Sequence, residues 1–230
     1  MKVVNLAGGL GSRLAEETTL RPKPLVEIGE KPILWHIMNI YSHHGLTDFI
    51  ICAGYKSYMI KEYFVNLVLH HSDVTLELAE NRIEYHQRAR PPWRVTVVDT
   101  GVNSMTGGRI KRIRDYLDPH EPFCMTYGDG VADIDIREEI AFHRSHGLKA
   151  TMCAVVPPGR FGAATIEGHL VTTFAEKPKL EDQPINALVR DRELAAYRHN
   201  GFWQPMHALR DGMPLEELWN SERAPWKLWN

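Results

Sequence analysis

The sequence predicts an α/β fold, a mostly parallel sheet covered by helices on both faces. Three observations predict it. Apolar runs of strand length alternate with stretches of helical apolar spacing through residue 156. Two of those runs end abruptly in glycine, at Gly8-Gly9 and at Gly128-Asp129-Gly130. The chain's 230 residues, 43% hydrophobic and 24% charged, suit one domain of this class, or one with a small appendage.

Residues 3–6 form the first strand, which feeds the turn Gly8-Gly9-Leu10-Gly11. Asn5 interrupts this strand, and nothing in the sequence accounts for it. Residues 32–41 carry Ile33, Leu34, Ile37, Ile40 and Tyr41 at helical spacing, with Pro32 at the start and Gly45 as the stop. Residues 48–53 (D-F-I-I-C-A) read as a buried strand, and 60–69 as a second helix. A strand follows over 94–98. In 106–116, Gly107-Gly108 precede Arg109, Ile110, Ile113 and Tyr116, which predicts a helix opening just after the glycines. Residues 123–127 read as a buried strand, 136–146 as a helix stopped by Gly147, and 150–156 as a last strand of the parallel sheet. Beyond about residue 160 the pattern changes. Residues 163–166 and 169–174 meet across Glu167-Gly168, a hairpin signal. Residues 209–219 have helical spacing that Gly212 and Pro214 would break or offset. The predicted organisation is an α/β core over 1–160 and a β/helical region over 161–230, both within one compact domain.

Composition excludes several roles. Lys and Arg total 27 against 29 Asp and Glu, a net charge of −2. With a pI near 6.6, this near-neutral balance gives no case for a general nucleic-acid binder or a polybasic membrane surface. Mean hydropathy is −0.32, and no apolar run approaches the roughly 20 residues a membrane span needs. Glycines and Arg13 interrupt the N-terminal stretch too early for a secretory core, which predicts a cytoplasmic protein. Cys52, Cys124 and Cys153 are far apart in apolar stretches and read as buried thiols. The twelve histidines lack metal-ligand spacing. His43-His44 and His70-His71 are adjacent pairs that cannot share a helix face.

Four constellations carry chemistry. The turn Leu6-Ala7-Gly8-Gly9-Leu10-Gly11-Ser12-Arg13 offers backbone N–H groups to phosphate oxygens, and Arg13 adds a fixed charge. Its spacing matches neither the P-loop nor the G-x-G-x-x-G dinucleotide pattern. In Arg21-Pro22-Lys23-Pro24, two prolines stiffen the segment that holds Lys23. Such a lysine suits a triphosphate. Asp129 lies just past a strand's carboxyl end, where open parallel sheets bind ligands, and a lone carboxylate there suits Mg²⁺. In Glu176-Lys177-Pro178, the carboxylate can accept sugar hydroxyls while the lysine pairs with a sugar phosphate. Taken singly, these also fit a tight turn, a loop lysine, a turn aspartate and a surface charge pair.

Together they resemble a known family. L-A-G-G-L-G-S-R (6–13) followed by R-P-K-P (21–24) is similar to the signature of the sugar-nucleotide pyrophosphorylases. The likeness runs nearly end to end, through I-L-W-H-I-M (33–38), P-W-R-V-T (92–96), V-D-T-G (98–101), M-T-G-G-R (105–109), Y-G-D-G (127–130), P-P-G-R-F-G-A (157–163), E-K-P-K (176–179), G-F-W-Q-P-M (201–206) and A-P-W-K (224–227). It points to the branch that joins CTP to glucose 1-phosphate with Mg²⁺. The resemblance implies a Rossmann-like core, a small C-terminal sugar-binding and tail region, and a homo-oligomer. It also implies roles for individual residues. Leu6, Ala7, Gly8, Gly9, Leu10, Gly11, Ser12 and Arg13 would cradle the nucleotide, and Arg13 and Lys23 would neutralise its phosphates. Ser104, Arg109 and Gly128 would fix the nucleotide, and Asp129 would ligate Mg²⁺. Glu176, Lys177 and Asn186 would hold the sugar phosphate.

The chain departs from the family pattern twice. After Ile185-Asn186 the family continues into a Gly-Gly-Phe-Phe strand, whereas here Ala187-Leu188-Val189 follow, as if about thirty residues, one βαβ unit, were absent. Where the family places an aspartate as second Mg²⁺ ligand, this chain has His207. Two further readings stay open on the sequence. One is a homologue that binds nucleotide or sugar phosphate without turnover. The other is a pyrophosphorylase that uses a different nucleoside triphosphate.

Overall fold

Four aliphatic side chains, two of them β-branched, make β1 (Val3–Ala7) a fully buried strand around Asn5. The computed structural model describes residues 1–10, 20–86, 91–155, 163–175, 184–206 and 209–229, and all structural statements concern these. After a 3₁₀ turn (Lys23–Leu25), the two-residue strands β2 (Glu27–Ile28) and β3 (Lys31–Pro32) lead into helix α1 (Ile33–His43). Pro32 caps α1, where its missing N–H removes no helical bond. Then come β4 (Asp48–Ala53), α2 (Ser57–His70), the hairpin of β5 (Asp73–Glu77) and β6 (Arg82–His86), and β7 (Arg94–Asp99). Helix α3 (Thr106–Arg112) and a 3₁₀ turn (Arg114–Tyr116) precede β8 (Cys124–Tyr127) and β9 (Gly130–Ala132).

The four long parallel strands pair in the order β7-β4-β1-β8. Alternation along β1 explains why helices cover both faces. Val3 and Ala7 join the core built with Ile33, Leu34, Ile37 and Met38 of α1, while Val4 and Leu6 face Ile113 beyond α3. Helix α4 (Ile136–His146) is capped by Asp135, whose carboxylate accepts the N–H groups of Arg137 and Glu138, and stops at Gly147 with φ +70°.

The remaining elements are β10 (Ala150–Val155), β11 (Ala163–Glu167), β12 (Leu170–Ala175), α5 (Pro184–Arg190), β13 (Leu194–His199), β14 (Trp203–Pro205) and α6 (Leu209–Asn220). A second sheet runs β10-β13-β12-β11, with α5 packing Ile185, Leu188 and Val189 on Val171, Leu194 and Ala196. Strand β10 therefore does not extend the first sheet, as its sequence suggested. It pairs in parallel with β13, a strand the sequence reading did not anticipate, which buries Leu194-Ala195-Ala196.

Four other expectations are corrected. Strand β8 is not a buried run: it borders only β1 among the described strands and leaves Met125 and Tyr127 exposed. Helix α2 opens three residues earlier, at Ser57. Helix α3 takes Gly107-Gly108 into its first turn, where glycine's backbone entropy costs least, and gives way to the 3₁₀ turn after Arg112. Helix α6 continues through Gly212 and Pro214, forgoing one backbone bond, and is anchored by the wholly buried Leu215.

The tryptophan-rich tail closes over α1. Trp219 and Trp229 approach the Trp35 ring at 6.4 and 5.6 Å between centroids, and Trp226 is fully buried. His36 is buried at the centre of this layer. Its Nε2–H donates to the Ile28 carbonyl at 2.8 Å and its Nδ1 accepts from the Trp226 indole at 3.4 Å. Burial holds the imidazole neutral and lowers its pKa to about 4. Gly29 is required here, with φ +58°, because a Cβ would lie 1.8 Å from Trp219 Nε1.

All three cysteines are free. Burial pushes the Cys52 and Cys124 thiols up to about 11 and Cys153 to about 12. Among the described residues, no helix is long and apolar enough to cross a membrane.

Candidate active site

The carboxyl ends of the four parallel strands emerge at one edge of the sheet, and each ends in a small or flexible residue: Gly8 after β1, Gly54 after β4, Thr100 after β7 and Gly128 after β8. The chain leaves β1 for β4 and β7 on one side and returns to β8 on the other. Such a reversal opens a crevice at the strand ends. A cleft of about 280 Å³ lies there.

Lys23 reaches the cleft from its 3₁₀ turn, with Pro22 as N-cap and the buried Pro24 as the next residue. Its ammonium donates to Asp129 Oδ2 at 2.5 Å, and the two side chains are 14% and 22% exposed. Asp129 is fixed from behind: its carbonyl accepts the Met206 N–H at 2.7 Å, beside the antiparallel pairing of β9 with β14. Met206 is the last described residue before His207. Lys23 and Asp129 neutralise each other at the floor of the cleft, so an incoming anion and cation can take one partner each.

Arg109 lies opposite, 5% exposed, on α3. It donates to the carbonyls of Gly8 (2.8 Å), Ala53 (3.3 Å) and Val102 (3.2 Å) and to Thr100 Oγ1 (2.7 Å). These partners are all neutral, so the guanidinium presents positive charge to the cleft while it ties the glycine turn to β4 and β7. Desolvation lowers its pKa, and arginine remains charged. The close approach needs glycine: a Cβ on Gly8 would lie 1.8 Å from Arg109 Nη1, and one on Gly54 2.6 Å from the Gly8 carbonyl oxygen. Ser104 Oγ donates to the Thr100 carbonyl at 2.5 Å and accepts from Arg112.

Leu6, Gly8, Gly9, Lys23, Ser104, Arg109, Gly128 and Asp129 thus line one cleft. Ala7 is buried behind it and Leu10 is exposed outside its lining. Asn186 is exposed on α5, whose apolar face lies on the second sheet, and does not line the cleft. Gly11, Ser12, Arg13, Glu176, Lys177 and His207 lie outside the described residues. Sequence reasoning gave no role to Gly54, Met105, Thr106 or Tyr127. The last three line the cleft, and Gly54 packs on Gly8 and Arg109. The glycine just past β4 was the available signal for Gly54.

Asp129 is the only acidic residue among the described lining residues. No group of three or more His, Cys, Asp and Glu that could hold a metal occurs among the described residues. A cation seated at Asp129 would complete its shell with water and phosphate oxygens, the habit of Mg²⁺ rather than of zinc.

The family model described as "Nucleotidyl transferase" matches residues 2–204. A glucose-1-phosphate cytidylyltransferase of Salmonella typhi is 54% identical over 256 aligned positions that cover all of both chains. The namesake from Salmonella typhimurium is equally similar, at 54% with the same full coverage. The 256 aligned positions exceed this chain's 230 residues by 26, so the relative carries at least that many without a counterpart here. The crystal structure of a UDP-glucose pyrophosphorylase complexed with UDP-glucose has the same fold, with a TM-score of 0.72 at 13% identity over 96% of this chain and 99% of that one. With a family match over most of its length and more than half its residues shared end to end, the chain belongs to the nucleotidyl transferase family, among the glucose-1-phosphate cytidylyltransferases.

Proposed function

We propose that this transferase joins CTP to α-D-glucose 1-phosphate, forming CDP-glucose and releasing pyrophosphate, with Mg²⁺ as the cation. The observation that carries the reading is the Lys23–Asp129 pair, set beside the Gly8-Gly9 turn at the reversal point of the sheet. Backbone N–H groups of the turn bind the triphosphate, and Arg109 adds positive charge behind it. Arg13 and Lys23 neutralise the phosphates, Lys23 next to the α-phosphate. Ser104 and Gly128 border the nucleoside. Glu176 and Lys177 hold the glucose ring and its phosphate.

A phosphate oxygen of the sugar attacks the α-phosphorus in line, the bond to the bridging oxygen breaks, and pyrophosphate leaves with its electron pair. No group of the protein bonds to phosphorus, so catalysis is positioning and charge neutralisation. Magnesium, when bound at Asp129, supplies further charge neutralisation to the triphosphate. Cytosine selectivity is supported by the identity to the Salmonella enzymes.

The test is pyrophosphate release with Mg²⁺, glucose 1-phosphate and each nucleoside triphosphate in turn. Release with CTP alone is the expected result. Release with another triphosphate would reassign the base. CTP binding without release would mean that His207 and the shortened segment leave a binding protein.

A further inference from the structure

Asn5 lies midway along β1, level with Ile51 of β4 and Thr126 of β8, and is 1% exposed. Neither its Oδ1 nor its Nδ2 has a hydrogen-bond partner. A buried amide in that state destabilises a fold, whereas a leucine of similar shape would not. Its neighbours give it a role. A Cβ on Gly128 would lie 2.8 Å from Asn5 Oδ1 and 3.2 Å from Pro24 Cγ, so the amide and Pro24 both face Gly128 on the side where a side chain would be. Gly128 precedes Asp129 and Pro24 follows Lys23. The unpaired amide therefore sits directly under the chain segments that bear the charged pair.

We propose that Asn5 is a positioning residue for Asp129. While Lys23 and Asp129 hold each other, the amide is unpaired. When a metal–triphosphate separates them, the Gly128–Asp129 peptide turns and takes up a hydrogen bond with the Asn5 side chain. The Asp129 carbonyl accepts from Met206 and the Gly128 N–H donates to the Leu6 carbonyl at 3.1 Å, so the turn is confined to the peptide between them, the Gly128 carbonyl and the Asp129 N–H, against Asn5. The stability lost in the free protein is thereby recovered only in the complex. This inference rests on the nucleotidyl-transfer reading above.

The experiment is calorimetric titration of CTP, without sugar phosphate, into wild type, Asn5→Leu and Asn5→Val, with Mg²⁺ and again with EDTA, alongside melting curves. Both variants should melt at or above the wild-type temperature. Both should bind Mg·CTP about tenfold more weakly, the worth of one strong hydrogen bond, with metal-free CTP affinity unchanged. Wild-type affinity for Mg·CTP in both variants overturns the proposal, as does a lower melting temperature with both affinities reduced alike. A wild type that binds no Mg·CTP overturns the nucleotidyl-transfer reading itself, a separate result.

Discussion

Lys23 and Asp129 illustrate what a single residue reveals in sequence and what it conceals. Two prolines mark Lys23 as stiffly held, and a strand end marks Asp129 as a candidate ligand group, but only the fold brings their charges to 2.5 Å. Replacing Lys23 with Met keeps the stem and removes the charge. Steady-state pyrophosphate release should fall about 10²- to 10³-fold, the worth of one preorganised charged group, with little change in melting temperature. Asn5 was conspicuous but illegible, because the backbone it faces comes from the far strand β8, at Gly128. His36 was read simply as part of a helix, because its neighbours Trp219 and Trp226 lie at the opposite end of the chain. Its depressed pKa means that the unfolded state binds the proton more readily. The stability it contributes is complete above pH 6.5 and is lost as pH falls toward 4. Glu139 works in the opposite sense: burial raises its carboxyl to about 7, so its contribution is greatest at acid pH and is lost as pH rises through 7. Denaturant midpoints between pH 4 and 8 should show His36→Phe losing less stability on acidification than wild type, and Glu139→Gln losing less as pH rises from 4.5 to 7.

Elements with one clear buried face were legible, and those without one were not. Strand β4 and helix α4 carry the bounds read from their apolar spacing and terminal residues. The hairpin of β5 and β6 went unread because charged residues interleave with Val74, Leu76, Ile83 and Tyr85 and most of its surface is exposed. Asn81 at its turn, with φ +50°, was the missed signal. Strand β14 has only three residues, and both β13 and β14 pair with strands distant in sequence, β10 and β9 respectively. The cap of α4 gives a local prediction: Asp135→Ala should lower stability by about 1 kcal/mol in thermal denaturation. The tryptophan layer gives a larger one: Trp226→Ala leaves a cavity against His36 and Phe202 and should cost about 3–5 kcal/mol.

At the scale of the molecule, the fold places every described cleft residue at the carboxyl edge of a sheet whose strand order reverses beside β1. The parallel sheet and the place of ligands at its carboxyl edge were legible in the alternation of strands and helices, but the strand order was not. The second sheet was not, because β10 reads like any other buried parallel strand until its partner is known. The 26 aligned positions without a counterpart match in size the block read as absent after Asn186, while α5 runs unbroken through Asn186 and Ala187. His207 is the other whole-molecule departure. If an imidazole there weakens the hold on a hard cation, His207→Asp should raise Mg²⁺-dependent turnover, measured as pyrophosphate release against magnesium concentration. The central claim is that one cleft, with Lys23 and Asp129 at its floor, holds the triphosphate and its cation. A crystal structure with CTP and Mg²⁺ tests it most directly. The expected result is a triphosphate along Gly8-Gly9, with Lys23 on a phosphate oxygen and the cation on Asp129. Nucleotide bound at another surface, with the Lys23–Asp129 pair intact, would contradict it.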